Sequence, residues 1–179
     1  MERFILSKNT LAAARDYLPL AEKKNFVGTC APLCFDRLQV KSGEDVMPEM
    51  YKENSALRSR YLLYALVGLY LGLSAETEAD DPFLLTEAEY DRFAGSHILS
   101  QLERMKRDAD CAEKCYAILS DYRTLERWLN VECRGLLAAQ NDAVFRQSIL
   151  ARAEMEQLPA LLRQLQEVAE KKGSADGKL

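Results

Sequence analysis

The chain has 179 residues, a length typical of one domain, and its 48% hydrophobic and 29% charged residues are ordinary values for a globular protein. These values exclude a disordered acidic tail, a collagen-like repeat and a disulfide-dense miniprotein. The net charge of -4 is mild and has the wrong sign for a protein that coats nucleic acid. Only 8 Gly and 5 Pro are present, which favours long helices over a β-sandwich or barrel.

The cysteine content indicates the cellular compartment. The 5 cysteines cannot all pair within one chain, and no N-terminal segment has the layout of a signal peptide, so we expect a reduced, cytoplasmic protein. The longest run without a charged residue, from Tyr61 to Ala75, is shorter than the roughly 17–25 apolar residues of a membrane-spanning helix. It predicts a buried core helix and no membrane partner.

The first half of the chain predicts four helices, one of them a short helix within a loop. One runs from about Asn9 until Pro19 ends or kinks it, and a short one follows over residues 20–26. Residues 27–47 are interpreted as a loop with one short helix over residues 32–38. Pro48 suits a first helical turn, and the apolar spacing beyond it predicts a buried central helix near residues 48–74.

The second half predicts longer helices. An acidic connection over residues 76–82 is followed by a capping-box pattern and one helix over residues 86–108. The next helix carries an apolar stripe: Cys115, Leu119, Tyr122, Leu125, Leu129, Cys133 and Leu136. Asn141-Asp142 marks its end, and Pro159 marks the start of a separate helix.

Together these elements predict an all-α, single-domain helical bundle of five to seven helices over residues 1–172, with a flexible tail over residues 173–179.

His97 is the only histidine, which excludes multi-histidine metal sites. Arg92 precedes it, and this Arg-x4-His spacing resembles the short motif of HEPN-family ribonucleases, small helical proteins in which an Arg and a His, paired across a dimer, help to cleave RNA. The resemblance implies that Arg92 stabilises the charged phosphorane-like state and that His97 transfers protons. The alternative is that His97 is a boundary residue beside an apolar stripe.

Two like-spaced cysteine pairs, Cys30-x3-Cys34 and Cys111-x3-Cys115, could bind zinc or an iron–sulfur cluster if four thiolates converged. Structural zinc sites prefer two intervening residues, so we interpret these cysteines as buried thiols that act as small hydrophobes. We therefore expect no metal and no other cofactor.

A possible phosphate-facing stripe of Arg123, Arg127 and Arg134 recurs along one helix face. Glutamates flank it, so ion-paired surface is the main interpretation and nucleic-acid binding the alternative.

The informative features are helix faces, and no nucleotide-binding or serine-hydrolase motif is present. This favours a non-enzymatic protein that binds another protein or itself, with an HEPN-like ribonuclease as the alternative. The predicted contact surface, here called the C-terminal stripe, consists of Leu158, Leu161, Leu162, Leu165 and Val168. Its alternative is packing within the same bundle.

Overall fold

A computed structural model describes residues 3–38, 41–42, 45–46 and 50–175. The described chain is mostly helical and contains a few short strands. The chain forms two compact units. Unit 1 comprises Met1–Asp36 and Lys52–Leu137, and unit 2 comprises Arg37–Tyr51 and Ala138–Leu179.

The helices of unit 1 are α1 (Lys8–Ala13), α2 (Leu20–Cys30), α3 (Ser55–Tyr64), α4 (Glu87–Gly95) and α5 (Ile98–Met105). A 3-10 turn (Ala31–Leu33) follows α2, and a π-helical segment (Ala65–Tyr70) continues α3. The last helix, α6 (Ala112–Ala175), includes residues of both units.

The strands are β1 (Phe35–Leu38), β2 (Lys41–Ser42), β3 (Asp45–Val46), β4 (Met50–Glu53), β5 (Thr77–Glu78) and β6 (Asp81–Leu85). They form three two-stranded sheets, β1 with β4, β2 with β3 and β5 with β6. In the antiparallel hairpin of β5 and β6, Thr77 lies opposite Leu85 and Glu78 opposite Asp81, with an irregularity between the two positions of β5.

These strands correct the prediction of purely helical structure. The acidic connection predicted over residues 76–82 is part of the β5–β6 hairpin, in which Arg60 donates to the backbone oxygen of Leu85 and pairs with Glu78. The short helix expected over residues 32–38 is the 3-10 turn followed by β1.

The central helix begins at Ser55 and not at Pro48. The side-chain oxygen of Asn54 accepts the Leu57 N–H at 3.0 Å, which satisfies a free donor of the first helical turn. Pro48 itself lies outside the described residues. The apolar part of this helix, including Tyr61, Leu66 and Tyr70, is buried as its composition predicted.

The helix expected over residues 86–108 is interrupted. Of the two bonds of the predicted capping box, the Thr86 hydroxyl accepts the Glu89 N–H, whereas the Thr86 N–H bonds the backbone oxygen of Glu76. The helix α4 then ends at Gly95, and α5 begins at Ile98. Between them His97 has φ 53°, a left-handed conformation that ends α4.

The two breaks expected later in the chain are absent from α6, which the structure describes continuously from Ala112 to Ala175. The Asn141 side chain bonds the backbone of Tyr51, so it does not act as a cap. Asp142 pairs with Arg146 one turn later at 2.7 Å, which supports continued helix. Pro159 lies inside α6, as does the start of the predicted tail, and residues 176–179 lie outside the described chain.

The core of unit 1 gathers side chains from each of its helices. The stripe predicted on α6 is confirmed from Cys115 to Cys133, with Leu136 partly buried against the same core. No helix among the described residues has the length and apolar character needed to cross a membrane.

Candidate functional site

His97 lies on the surface of unit 1, at the junction of α4 and α5. It is exposed and lines two grooves. The first, of about 350 Å³, also contains Arg3 and Arg104. The second, of about 390 Å³, is lined mainly by apolar side chains that include Leu63 and Tyr90. His97 therefore lies between a groove that contains two arginines and a groove lined mainly by apolar side chains.

In the first groove, two side chains hydrogen-bond the backbone of the N-terminal segment. The Ser96 hydroxyl accepts the Phe4 N–H at 2.8 Å, and the Gln101 side chain accepts the Leu6 N–H at 2.7 Å. Gln101 also donates to the backbone oxygen of Phe4 at 2.9 Å. These long-range bonds fix the chain before α1 against the start of α5.

Arg92 does not line either of these grooves. Its guanidinium pairs with Glu89 at 2.9 Å and lies over the ring of Phe93, 4.9 Å from the centroid. Arg92 and His97 could act together only if the helix bent between them, and the break at Ser96-His97 is such a bend. However, the Arg92 guanidinium already contacts Glu89 and the Phe93 ring on α4.

The backbone of His97 gives a direct prediction. A left-handed conformation costs a residue with a Cβ about 1–2 kcal/mol. Glycine avoids this cost, but it gives the unfolded chain more conformational entropy, which lowers stability by about 0.4–1 kcal/mol. We therefore expect His97→Gly to raise the free energy of unfolding by about 0.5–1 kcal/mol in urea denaturation. Ser100→Gly, at an exposed position inside α5, is the control and should lower it by about 0.5 kcal/mol. A loss of stability in His97→Gly contradicts the conformation described.

A cluster of three buried thiols lies in unit 1. The Cys34 thiol donates to the backbone oxygen of Cys30 at 3.2 Å, and the Cys133 thiol lies 3.9 Å from the backbone oxygen of Ala31. Cys133 and Arg58 are also neighbours of Cys34. The first predicted pair, Cys30 and Cys34, therefore lies near Cys133 of α6, where a four-cysteine site would have required Cys111 and Cys115.

The thiols of Cys34 and Cys133 differ in acidity. Interaction with Cys133 and burial raise the pKa of the Cys34 thiol, so it stays protonated and donates to the Cys30 oxygen. Interaction with Cys34 and the charge of Arg58 lower the pKa of Cys133 despite its burial. Burial, the larger cause, and nearby negative groups raise the pKa of Cys30.

The second predicted pair, Cys111 and Cys115, is also buried. Burial raises the pKa of Cys115, with a smaller contribution from Cys111. Within the ranges that the structure describes, no three His, Cys, Asp or Glu side chains are arranged to hold a metal ion.

Asp121 of α6 is the centre of a second polar cluster. One carboxylate oxygen pairs with Lys23 of α2, and the other accepts the Leu18 N–H at 2.9 Å and the Tyr70 hydroxyl at 2.8 Å. Burial opposes the charged form of Asp121, but these three donors outweigh it, so the pKa of Asp121 lies below its usual value. Burial and the bond to Asp121 raise the pKa of Tyr70. This cluster joins three segments of unit 1 and has a structural role.

The three arginines of the predicted phosphate-facing stripe are exposed on α6. Arg123 pairs with Glu103 of α5 at 2.6 Å. In the described chain, Arg127 and Arg134 have no acidic partner within 4.0 Å. The stripe is therefore partly ion-paired.

The part of α6 in unit 2 exposes large apolar side chains. Phe145 is 61% exposed, Leu150 63% and Met155 73%. The backbone of the C-terminal stripe lies in α6, while the side chains of Leu158, Leu161, Leu162, Leu165 and Val168 lie outside the described part of the structure.

Sequence reasoning missed two partnerships, Cys34 with Cys133 and Lys23 with Asp121. Each joins residues far apart in the chain, and no local spacing indicates either one. The sequence did place Cys133 in the buried stripe of α6, which indicates a thiol in the core but not which residue lies beside it.

Comparison of the chain with protein-family models, with curated proteins and with solved structures finds no match.

Proposed function

We propose that this protein is a non-enzymatic module that binds a second copy of itself through the C-terminal part of α6, with the helices of unit 1 as the bundle that carries it. The supporting observation is Met155, whose side chain is 73% exposed. A helix of a monomeric protein normally turns such a residue toward its own core. Here that position is open to solvent within the described structure.

Met155 extends the C-terminal stripe by one step. It lies three residues before Leu158 and seven before Leu162, and Leu165 follows three residues later. Steps of three and four residues keep these positions on one side of a helix, and their seven-residue repeat is that of a coiled-coil seam. We expect the second copy to contact α6 along this row.

The same row begins at a contact within unit 2. Counting back from Met155 by seven gives Ser148 and by fourteen gives Asn141, and both side chains are half-buried. Asn141 bonds the backbone of Tyr51 in both directions, at 2.9 and 3.2 Å. The row is therefore covered by the chain itself near Asn141 and exposed at Met155, where we place the start of the interface.

Charge and length suit a second copy as the partner. Between residues 152 and 172 the four basic and four acidic residues balance, so identical segments do not repel each other strongly. From Met155 to the end of α6 at Ala175 the helix is about 31 Å long at 1.5 Å per residue, about three heptads, the lower end of the three to four that indicate a coiled coil. A nucleic-acid partner would instead favour a basic face.

Light scattering after size exclusion tests this proposal. At about 50 μM the full chain should have twice its monomer mass of 20.3 kDa. Met155→Asp and Leu162→Asp should each weaken the dimer at least tenfold, because each puts a charge into the apolar seam in both copies. Gln157→Asp is the matched control, since it adds the same charge at an exposed position outside the row.

A monomeric wild-type protein at this concentration overturns the proposal. Equal loss of the dimer in Gln157→Asp also overturns it, because the effect would then come from charge alone. Circular dichroism of each variant shows whether α6 still forms.

A further inference from the structure

Two arginines other than the one in its sequence motif lie beside His97. Arg3, before α1, and Arg104, in the last turn of α5, line the first groove together with His97. Both arginines are exposed, and in the described chain neither has an acidic partner within 4.0 Å. Arg92, in contrast, pairs with Glu89. The guanidinium groups that a ligand beside His97 would meet are therefore those of Arg3 and Arg104.

Hydrogen bonds fix the backbone around the first groove. Arg3 is followed by Phe4, whose N–H donates to the Ser96 hydroxyl at 2.8 Å. The backbone oxygen of Phe4 accepts from the Gln101 side chain at 2.9 Å. Both partners belong to the segment from α4 to α5 that carries the histidine and the second arginine. The groove is therefore formed before a ligand arrives, which reduces the ordering that binding requires.

The first groove contains no acidic side chain among the residues that the structure describes. Glu103, which precedes Arg104 in the sequence, pairs with other cations. These are Lys106, at 3.1 Å, and Arg123, at 2.6 Å. Guanidinium groups that no carboxylate balances favour an anion, because a hydrogen bond between two charged groups is stronger than one between neutral groups.

We propose that the first groove binds a phosphate monoester, whose terminal oxygens accept from Arg3, Arg104 and His97. A phosphate monoester has three terminal oxygens and close to two negative charges at neutral pH. An arginine presents a planar fork of N–H donors that matches two such oxygens, and a neutral imidazole still has one N–H donor. A carboxylate has only two oxygens and one charge, so it would satisfy the two arginines less completely. The site lies in unit 1 and does not depend on the self-association proposed for unit 2.

The second groove has room for the organic part of the ester. It shares His97 and Ser100 with the first groove, so the two are continuous. Its other lining residues are mainly apolar and include Leu63 and Leu99, and Leu99 is 42% exposed. Glu126 is the acidic residue among those that line it, and it does not line the first groove. We therefore expect an ester with an aromatic or aliphatic body, which would lie in the second groove while the phosphate lies in the first.

Nuclear magnetic resonance tests the proposal on the full chain. His97 is the only histidine, so its ring C–H signals report on both grooves without ambiguity. Phenyl phosphate should shift these signals saturably, and it should bind at least about fivefold more tightly than inorganic phosphate, because its ring buries apolar surface. Phenol, which lacks the phosphate, is the ligand control and should not saturate the shift in the same concentration range. Added sodium chloride should weaken the binding of phenyl phosphate, because salt screens exposed charges.

Variants test the two arginines. Arg3→Gln and Arg104→Gln should each weaken the binding of phenyl phosphate at least about tenfold, because each removes a charge-assisted contact with the phosphate. Arg107→Gln is the matched control, since it removes the same charge from an exposed position that does not line the groove, and its affinity should stay within about twofold of the wild-type value.

Three results overturn the proposal. One is the absence of a saturable shift in the wild-type chain with phenyl phosphate, a measurement that does not depend on the folding of any variant. Another is an equal loss of affinity in Arg107→Gln, because the effect would then come from net charge alone. The third is binding of phenol as tight as that of phenyl phosphate, because the anion would then contribute nothing. Equal affinities for phenyl phosphate and inorganic phosphate overturn the assignment of the organic group to the second groove.

Discussion

Asp121→Ala is expected to lower the free energy of unfolding by about 3–5 kcal/mol, because removing one partner of a buried ion pair leaves the other charge uncompensated. The Lys23 and Asp121 side chains are only 11% and 18% exposed. Alanine would also leave the Leu18 N–H and the Tyr70 hydroxyl without their acceptor. Guanidinium denaturation followed by circular dichroism measures the loss.

Two variants separate the charge from the hydrogen bonds. Lys23→Met with Asp121→Leu removes both charges and fills the space, so it should recover part of the loss in Asp121→Ala. Asp121→Asn keeps the size of the side chain and loses the charge, so its free energy of unfolding should lie between those of the wild-type protein and Asp121→Ala. A cost below about 1 kcal/mol for Asp121→Ala, the value of an exposed pair, would contradict the burial of this cluster.

The same contacts give stability a dependence on pH. The pKa of folded Asp121 is lowered, so its contribution is present above the unfolded value of about 3.9 and is lost as the pH falls through the folded value. The stability of the wild-type protein should therefore fall more steeply below pH 4 than that of Asp121→Asn. Equal slopes for the two proteins would contradict the lowered pKa.

Local sequence patterns correctly predicted the elements whose formation does not depend on which distant residues they contact. The stripe from Cys115 to Cys133 on α6 is buried as predicted, because a repeat of three and four residues sets one face of a helix regardless of what covers it. The cap at Thr86 followed from a spacing of three residues in the same way.

The elements that the sequence missed depend on distant groups. The β5–β6 hairpin has a strand of only two residues at β5, too short for a periodic signal, and Arg60 of α3 bonds it through Glu78 and Leu85. The break at His97 needs a left-handed backbone that favours glycine or asparagine, so a histidine gives no local signal for it. The thiol pair of Cys34 and Cys133 likewise has no sequence spacing that indicates it.

The two parts of α6 show the main limit of pattern reasoning. Spacing shows that a row of apolar residues shares a face, but it does not show whether the same chain covers that face. Leu125 in unit 1 is 0% exposed and Leu150 in unit 2 is 63% exposed, although both are leucines of one continuous helix. For the same reason the C-terminal stripe had two interpretations, core packing and partner contact.

Leu125→Ala is therefore expected to lower the free energy of unfolding by about 2–5 kcal/mol, through lost burial and the cavity that remains. Leu150→Ala makes the same chemical change in the same helix and should alter it by less than about 0.5 kcal/mol. Alanine has the higher helix propensity, so any small effect of Leu150→Ala should be stabilising. Denaturation at low micromolar concentration, where self-association contributes least, compares the two. Losses of similar size at both positions would contradict the exposure of Leu150 on this part of α6.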